Sequence, residues 1–325
     1  MRRRELVSLL GGATAAWSFA ARAQQKAMPV IGFLRSTSLG NATGLITAFR
    51  QGLDDAGFVE GQNVAVEYHS AENDPGQLAA LVSDLIRRPV AVLVGNVAKA
   101  VAAKSATTSI PIVFAIGSDP VAAGLVASLN RPGGNVTGVS FLAAQLGSKR
   151  LELLHQLVPS AARIAVIVNP DNADTETERR DLQAAAQALR QQLVIFDVGR
   201  ERDFETAFAM FVERGAGALY AGSGAFLNSQ RERVVALAAR HRLPAIYALR
   251  EFVAAGGPMS YAPSITEAHR QIGVYAGRIL KGEKPANLPV MQSTKFEFLI
   301  NLKTAKALGL DVPPTLLIRT DEVIE

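Results

Sequence analysis

Four histidines, His69, His155, His241 and His269, are the first candidates for acid–base or metal chemistry, and their spacing suits neither. They fall on separate segments, His155 and His269 within helix-period stretches, and no H-x-x-x-H or H-E-x-x-H pattern occurs. The chain has no cysteine, which removes thiolate nucleophiles, zinc–thiolate sites, disulfides and cysteine-ligated iron–sulfur clusters. Gly222-Ser223-Gly224 holds a serine between glycines, but G-x-S-x-G is absent. Neither a G-x-x-x-x-G-K-[ST] phosphate loop nor a G-x-G-x-x-G turn after the first strand is present, so no nucleotide cofactor is expected. The acidic neighbours Asp54-Asp55 and Glu72-Asn73-Asp74 have the character of solvated surface. No catalytic residue and no metal ligand is assigned. The pattern favours binding without chemistry; a secreted α/β enzyme acting on a small metabolite is the alternative.

The polar residues that remain cluster where short apolar runs end. Val30–Leu34 runs into Arg35, Ser36 and Thr37, Val90–Val94 into Gly95 and Asn96, and Pro111–Phe114 towards Gly117 and Asp119. Arg163–Val168 ends at Asn169, Ala218–Tyr220 precedes Ser223, and Pro244–Tyr247 closes on Tyr247 itself. Near-continuous apolar strands alternating with helix-period segments predict parallel sheets covered on both faces. Ligands of such sheets bind beyond the carboxyl ends of the strands. Two successive βαβαβ series predict an α/β protein of two doubly wound lobes, with a cleft between them lined from both sides. The turn-rich Asn130–Gly138 stretch places a first crossing shortly after it, and Ala254–Tyr261 is a second candidate crossing.

The 325-residue length accommodates two such lobes. Residues 1–23 read as an export signal: Arg2, Arg3 and Arg4, an uncharged stretch from Leu6 to Ala21, then Ala21-Arg22-Ala23. The adjacent arginines favour the twin-arginine type over an ordinary secretory signal or an uncleaved anchor. Cleavage after Ala23 leaves 302 residues free in a periplasm, with no cysteine for a lipid anchor. The leader holds four of the 34 Lys and Arg and one of the 29 Asp and Glu, so the net charge of +5 falls to +2. No later segment interleaves basic and aromatic residues, and nucleic acid is not an expected partner.

Several stretches carry a resemblance to a known family. They are Ile110–Gly124 (IPIVFAIGSDPVAAG), Ser128–Ser140 (SLNRPGGNVTGVS), Lys149–Leu154 (KRLELL), Met259–Tyr261 (MSY), Tyr275–Glu283 (YAGRILKGE), Thr294–Phe298 (TKFEF) and Asn301–Leu310 (NLKTAKALGL). Over essentially its whole length the chain resembles the periplasmic solute-binding proteins of ABC transporters, in the group related to tryptophan and tyrosine transport components. The resemblance implies the type I periplasmic-binding fold, two lobes joined by three crossings. Lobe 1 is expected over residues 28–140 and 262–285, and lobe 2 over 141–261 and 286–325. It also implies an inner-membrane ABC permease as partner and a monomeric carrier without direct membrane insertion. A periplasmic ligand sensor on the same fold is a further alternative. Where many relatives have Gly-Gly-Thr-Pro after the third strand, this chain has Gly95-Asn96-Val97-Ala98.

On this basis a small solute, an aromatic or other amino acid, is expected in the cleft. Helix starts after Gly95 and Gly117 would offer N–H groups to a carboxylate, with Ser36, Thr37 and Asn96 adding hydrogen bonds. Asp119 would take an ammonium or, alternatively, cap a helix beginning at Pro120. Asn169, Ser223 and Tyr247 would close from the second lobe, with Tyr261 at the hinge.

Overall fold

Apolar β-branched runs build the first sheet. A computed structural model describes residues 28–35, 38–72, 74–96, 104–141, 143–172 and 174–325. The export leader, Ser36 and Thr37 lie outside the described residues. Strands β1 (Val30–Arg35), β2 (Ala65–Ser70), β3 (Val90–Gly95), β4 (Ile112–Ile116) and β5 (Val136–Ser140) are parallel, in the order β2-β1-β3-β4-β5. Helix α1 (Thr43–Asp55) leads from β1 to β2, and α2 (Pro75–Ile86) from β2 to β3. Asp74 starts α2 by accepting the N–H groups of Gly76 and Gln77, and Pro75 fills the first helical position. Every residue of β4 and β5 is buried, as a sheet covered on both faces requires.

The second sheet repeats this order. Its strands are β6 (Arg163–Val168), β7 (Gln192–Asp197), β8 (Ala218–Ala221), β9 (Ala245–Tyr247) and β10 (Met259–Pro263), arranged β7-β6-β8-β9-β10. Helices α3 (Gly147–Leu157), α4 (Thr175–Ala188), α5 (Asp203–Glu213), α6 (Ala225–Ser229), α7 (Arg231–Arg240) and α8 (Arg250–Ala254) cover it. The chain then returns to the first lobe as α9 (Ile265–Leu280) and β11 (Met291–Gln292), the latter beside β5. It crosses again to add β12 (Phe296–Asn301), antiparallel to β10, and β13 (Glu322–Ile324). Two doubly wound lobes joined by three crossings form the type I periplasmic-binding arrangement.

Helix α9 completes the first lobe from late in the sequence. Ala268, Ile272, Tyr275 and Ala276 enter one core with Ile31, Phe33, Phe49 and Val92. Its approach to α1 is backbone to backbone: a Cβ on Gly52 would fall 1.8 Å from the Arg270 carbonyl oxygen, and one on Gly273 2.2 Å from that of Phe49.

Three expectations need correction. Residues 136–138, grouped with the turn formers, belong to strand β5. There Thr137 Oγ1 donates to the Leu288 carbonyl at 2.7 Å, and a Cβ on Gly138 would sit 2.2 Å from the Phe114 carbonyl oxygen. That glycine allows a close strand approach, not a turn. The Met259–Tyr261 segment likewise belongs to strand β10. The final return to lobe 2, expected at 286, falls later, because Met291 and Gln292 still pair with Val139 and Ser140.

Candidate functional site

In a 2-1-3-4-5 sheet the strand order reverses between β1 and β3, and a crevice opens beyond their carboxyl ends. Arg35 is the last residue of β1; Gly95 ends β3, in register with Leu34 and Phe114, and Asn96 follows it. Arg35 is half-buried, and that burial lowers the pKa of its guanidinium. Beside it stands His269 in the first turns of α9, its ring 6.5 Å from that of Phe33. His269 Nδ1 lies 2.9 Å from the Ile265 carbonyl, so this nitrogen carries the proton. Burial pulls the imidazole down to about 4, the nearby Arg35 charge acts the same way, and the ring is neutral at pH 7. Sequence reasoning gave His269 no role and counted Arg35 only among the polar residues at the strand ends, directly before the expected Ser36.

The rest of this wall departs from expectation. No helix follows Gly117; residues 120–124 form hydrogen-bonded turns, with the Ala123 and Leu125 amides bonded to the Asp119 and Pro120 carbonyls. The expected row of free amides after Gly117 is therefore not formed. Asp119 Oδ1 accepts the Val121 and Ala122 amides at 2.8 and 3.3 Å, which is a turn-capping role. Gly117 itself lets the chain turn into the first crossing: a Cβ there would lie 2.9 Å from the Phe141 ring, and its carbonyl accepts the Ala143 amide. The segment after Asn96 lies outside the described residues, as do Ser36 and Thr37.

The opposite wall comes from β6 and β8. Asn169 organises the turn into α4: its Oδ1 accepts the Asp171 amide at 2.7 Å and its carbonyl accepts the Thr175 hydroxyl at 2.5 Å. Next to it, Asp174 has its carboxyl pushed up by burial first, then by the charges of Glu178 and Asp119. Asp119 belongs to the other lobe, so part of this electrostatic push comes from across the two lobes.

Behind this wall lies a buried polar cluster that sequence reasoning missed. Arg150 and Glu178 are both completely buried and paired at 3.3 Å. Glu178 also accepts the Tyr220 hydroxyl at 2.7 Å, the Ser223 amide at 3.1 Å and the Ser223 hydroxyl at 3.0 Å. Burial first and then the Glu178 charge raise the Tyr220 phenol pKa. The signal was available: Arg150 shares the buried stripe Leu153, Leu154 and Leu157 of α3, and Glu178 the stripe Thr175, Leu182 and Ala186 of α4. A charge at a core position of a helical stripe requires a partner.

Two expected ligand residues are thereby reassigned. Ser223 commits its amide and hydroxyl to Glu178, and its carbonyl accepts Asn172 Nδ2 at 3.1 Å. It holds the loop instead of reaching into the cleft. Tyr247 is buried in the second-lobe core, stacked on Phe252 at 4.7 Å, and packs there instead of closing over a ligand. Tyr261 stacks on Phe296 at 5.9 Å, edge-on to Phe298, in the strand that leads to the second crossing.

A family model described as ABC transporter substrate binding protein matches residues 30–324. The chain belongs to that family. This substrate-binding protein is 28% identical over 264 residues to a tyrosine-binding protein of Clostridioides difficile strain R20291, covering 81% of this chain and 75% of that one. Among solved structures it is similar to a conserved domain protein of Vibrio cholerae, with a TM-score of 0.82 and 27% identity. It is also similar to an ABC domain in complex with L-Trp from Streptococcus pneumoniae, with a TM-score of 0.81 and 25% identity. Both alignments cover 91% of this chain and 99% of the other. Among the described residues of the substrate-binding protein, no helix is long and apolar enough to cross a membrane. Likewise, no group of three or more His, Asp or Glu among them is placed to hold a metal ion.

Proposed function

We propose that this substrate-binding protein captures a zwitterionic aromatic amino acid, of the class of tyrosine and tryptophan, and delivers it to an ABC permease of the inner membrane. Opposed charge in the cleft carries this reading. The half-buried Arg35 stands at the switch point of the first lobe, and Asp119 faces Asp174 from the two sides. A ligand carboxylate accepts a charge-assisted hydrogen bond from the guanidinium, joined by Asn96 and the expected Ser36 and Thr37. A ligand ammonium relieves the repulsion between the two carboxylates. Tyrosine and L-Trp, the ligands of the two relatives, support the aromatic class. Closure is then a population shift, because the ammonium contacts Asp119 and Asp174 together only when the lobes meet. Residues 1–23 direct export, and the mature protein acts free in the periplasm as a monomer. It carries out no catalysis.

The test is thermal unfolding of the purified mature protein against the twenty amino acids, a polyamine and a sugar. L-tyrosine or L-tryptophan at a hundred times Kd stabilises the folded state by about 2.7 kcal/mol. Stabilisation by the polyamine or the sugar alone, or steady consumption of the amino acid, overturns the reading.

A further inference from the structure

Arg150 sits at the start of the second lobe, and two of its four partners are backbone carbonyls, that of Ala143 in the first crossing and that of Tyr261 in β10, just before the second. Its Nε donates to the Tyr261 carbonyl at 2.9 Å and its Nη2 to the Ala143 carbonyl at 2.7 Å. Its Nη1 reaches the Tyr220 hydroxyl at 3.0 Å and Glu178 at 3.3 Å. The planar guanidinium fixes the directions of these bonds, and a buried one left unpaired is strongly destabilising. The guanidinium therefore ties both carbonyls firmly to the second lobe.

We propose that Arg150 is the positioning residue of the hinge. It clasps the first crossing, and the strand that leads into the second, to the second lobe and so fixes where the molecule bends. Ala143 marks the boundary in the first crossing: its carbonyl is held by Arg150, while its amide donates to Gly117 of the first lobe at 3.0 Å. On the first-lobe side, the Phe141 amide donates to the Ile116 carbonyl at 2.8 Å and Ser140 Oγ to the Ser118 carbonyl at 3.0 Å. Before the second crossing the clasp ends at Tyr261, and three residues later Ser264 already caps α9 by accepting the Glu267 amide. The third crossing follows the second, because the Ser264 amide donates to the Lys295 carbonyl at 2.9 Å and Pro263 pairs with Phe296. The rotation axis thus passes through Ala143 and the Tyr261–Ser264 stretch. Glu178 extends the clasp to Ser223, so hinge and second cleft wall turn as one body.

The experiment needs no ligand. The chain has no cysteine, so Ala80→Cys on α2 and Ala236→Cys on α7, both exposed, take spin labels only where intended. Pulsed electron paramagnetic resonance then reads the separation between the lobes. Arg150→Met and Arg150→Lys, neither able to hold both carbonyls, broaden the distribution and shift it to longer separations. The core variant Phe208→Leu lowers the melting temperature and leaves the distribution unchanged. An unchanged distribution in either folded Arg150 variant overturns the proposal. Hydrogen exchange on the unsubstituted protein gives a second, variant-free arm. The Ala143 amide, which bonds across the boundary, exchanges faster than those of Leu151 and Val166; equal protection overturns the assigned axis.

Discussion

The two walls of the cleft stand on the same strand order and differ in where their charged groups lie. In the second lobe, Glu178 gathers Arg150, Tyr220 and Ser223 behind the wall, and Asn169 closes its own turn. In the first lobe, the half-buried Arg35 stands at the cleft with the neutral His269 behind it. One wall is preformed by internal hydrogen bonds; the other places a charge where the sheet opens. Identical topology therefore leaves room for a difference in construction: the second wall is held by a buried charge pair, and the first sets a half-buried guanidinium at a strand end.

The sharpest way to break this comparison is to cut the buried cluster. Glu178→Ala leaves Arg150 uncompensated and lowers unfolding free energy by about 3–5 kcal/mol, read by urea denaturation. The double variant Arg150→Met, Glu178→Leu loses less than Glu178→Ala, because neither charge is left alone. Next comes acid. The His269 pKa lies below its unfolded value, so the unfolded state binds the extra proton. Stability falls as pH drops from 6.5 towards about 4. The loss over that window is of order 3 kcal/mol, and His269→Phe removes this slope from a pH series of melting curves. A persistent slope places the titrating group elsewhere.

The first wall answers in binding instead of stability. Arg35→Gln weakens L-tyrosine binding by about 10–100-fold, the ~1.5–3 kcal/mol of a hydrogen bond to a charged group. Calorimetric titration checks this, alongside an unchanged melting temperature. The smallest effect is electrostatic: Asp119→Asn lets the Asp174 carboxyl pKa move down towards its ordinary value, measured by NMR titration. An unmoved Asp174 denies the opposition of the two acids across the cleft.

Strand and helix order was legible because both lobes write their strands as apolar runs and their helices as amphipathic stripes. β5 was obscured by Gly138, whose role is a close approach to Phe114 that no local pattern records. Pro120 suggested a helix start, but five residues on the chain has already folded back through Leu125 bonding to Pro120. At the site, position beyond a strand end was readable, and direction was not. Ser223 and Tyr247 follow or end their strands as expected, and each turns inward, towards Glu178 and Phe252 respectively. Arg150 and Glu178 could not be paired from sequence, because 28 residues and the whole of strand β6 separate them.

Helix α9 also sets a timetable. The first lobe begins at Val30, yet its core lacks Ala268, Ile272 and Tyr275 until residues beyond 264 are available. A chain emerging amino end first therefore holds an incomplete first lobe while β6–β10 can already pair. Refolding should show the second lobe acquiring protection early and the first late, since bringing α9 back to α1 closes a loop that spans most of the molecule.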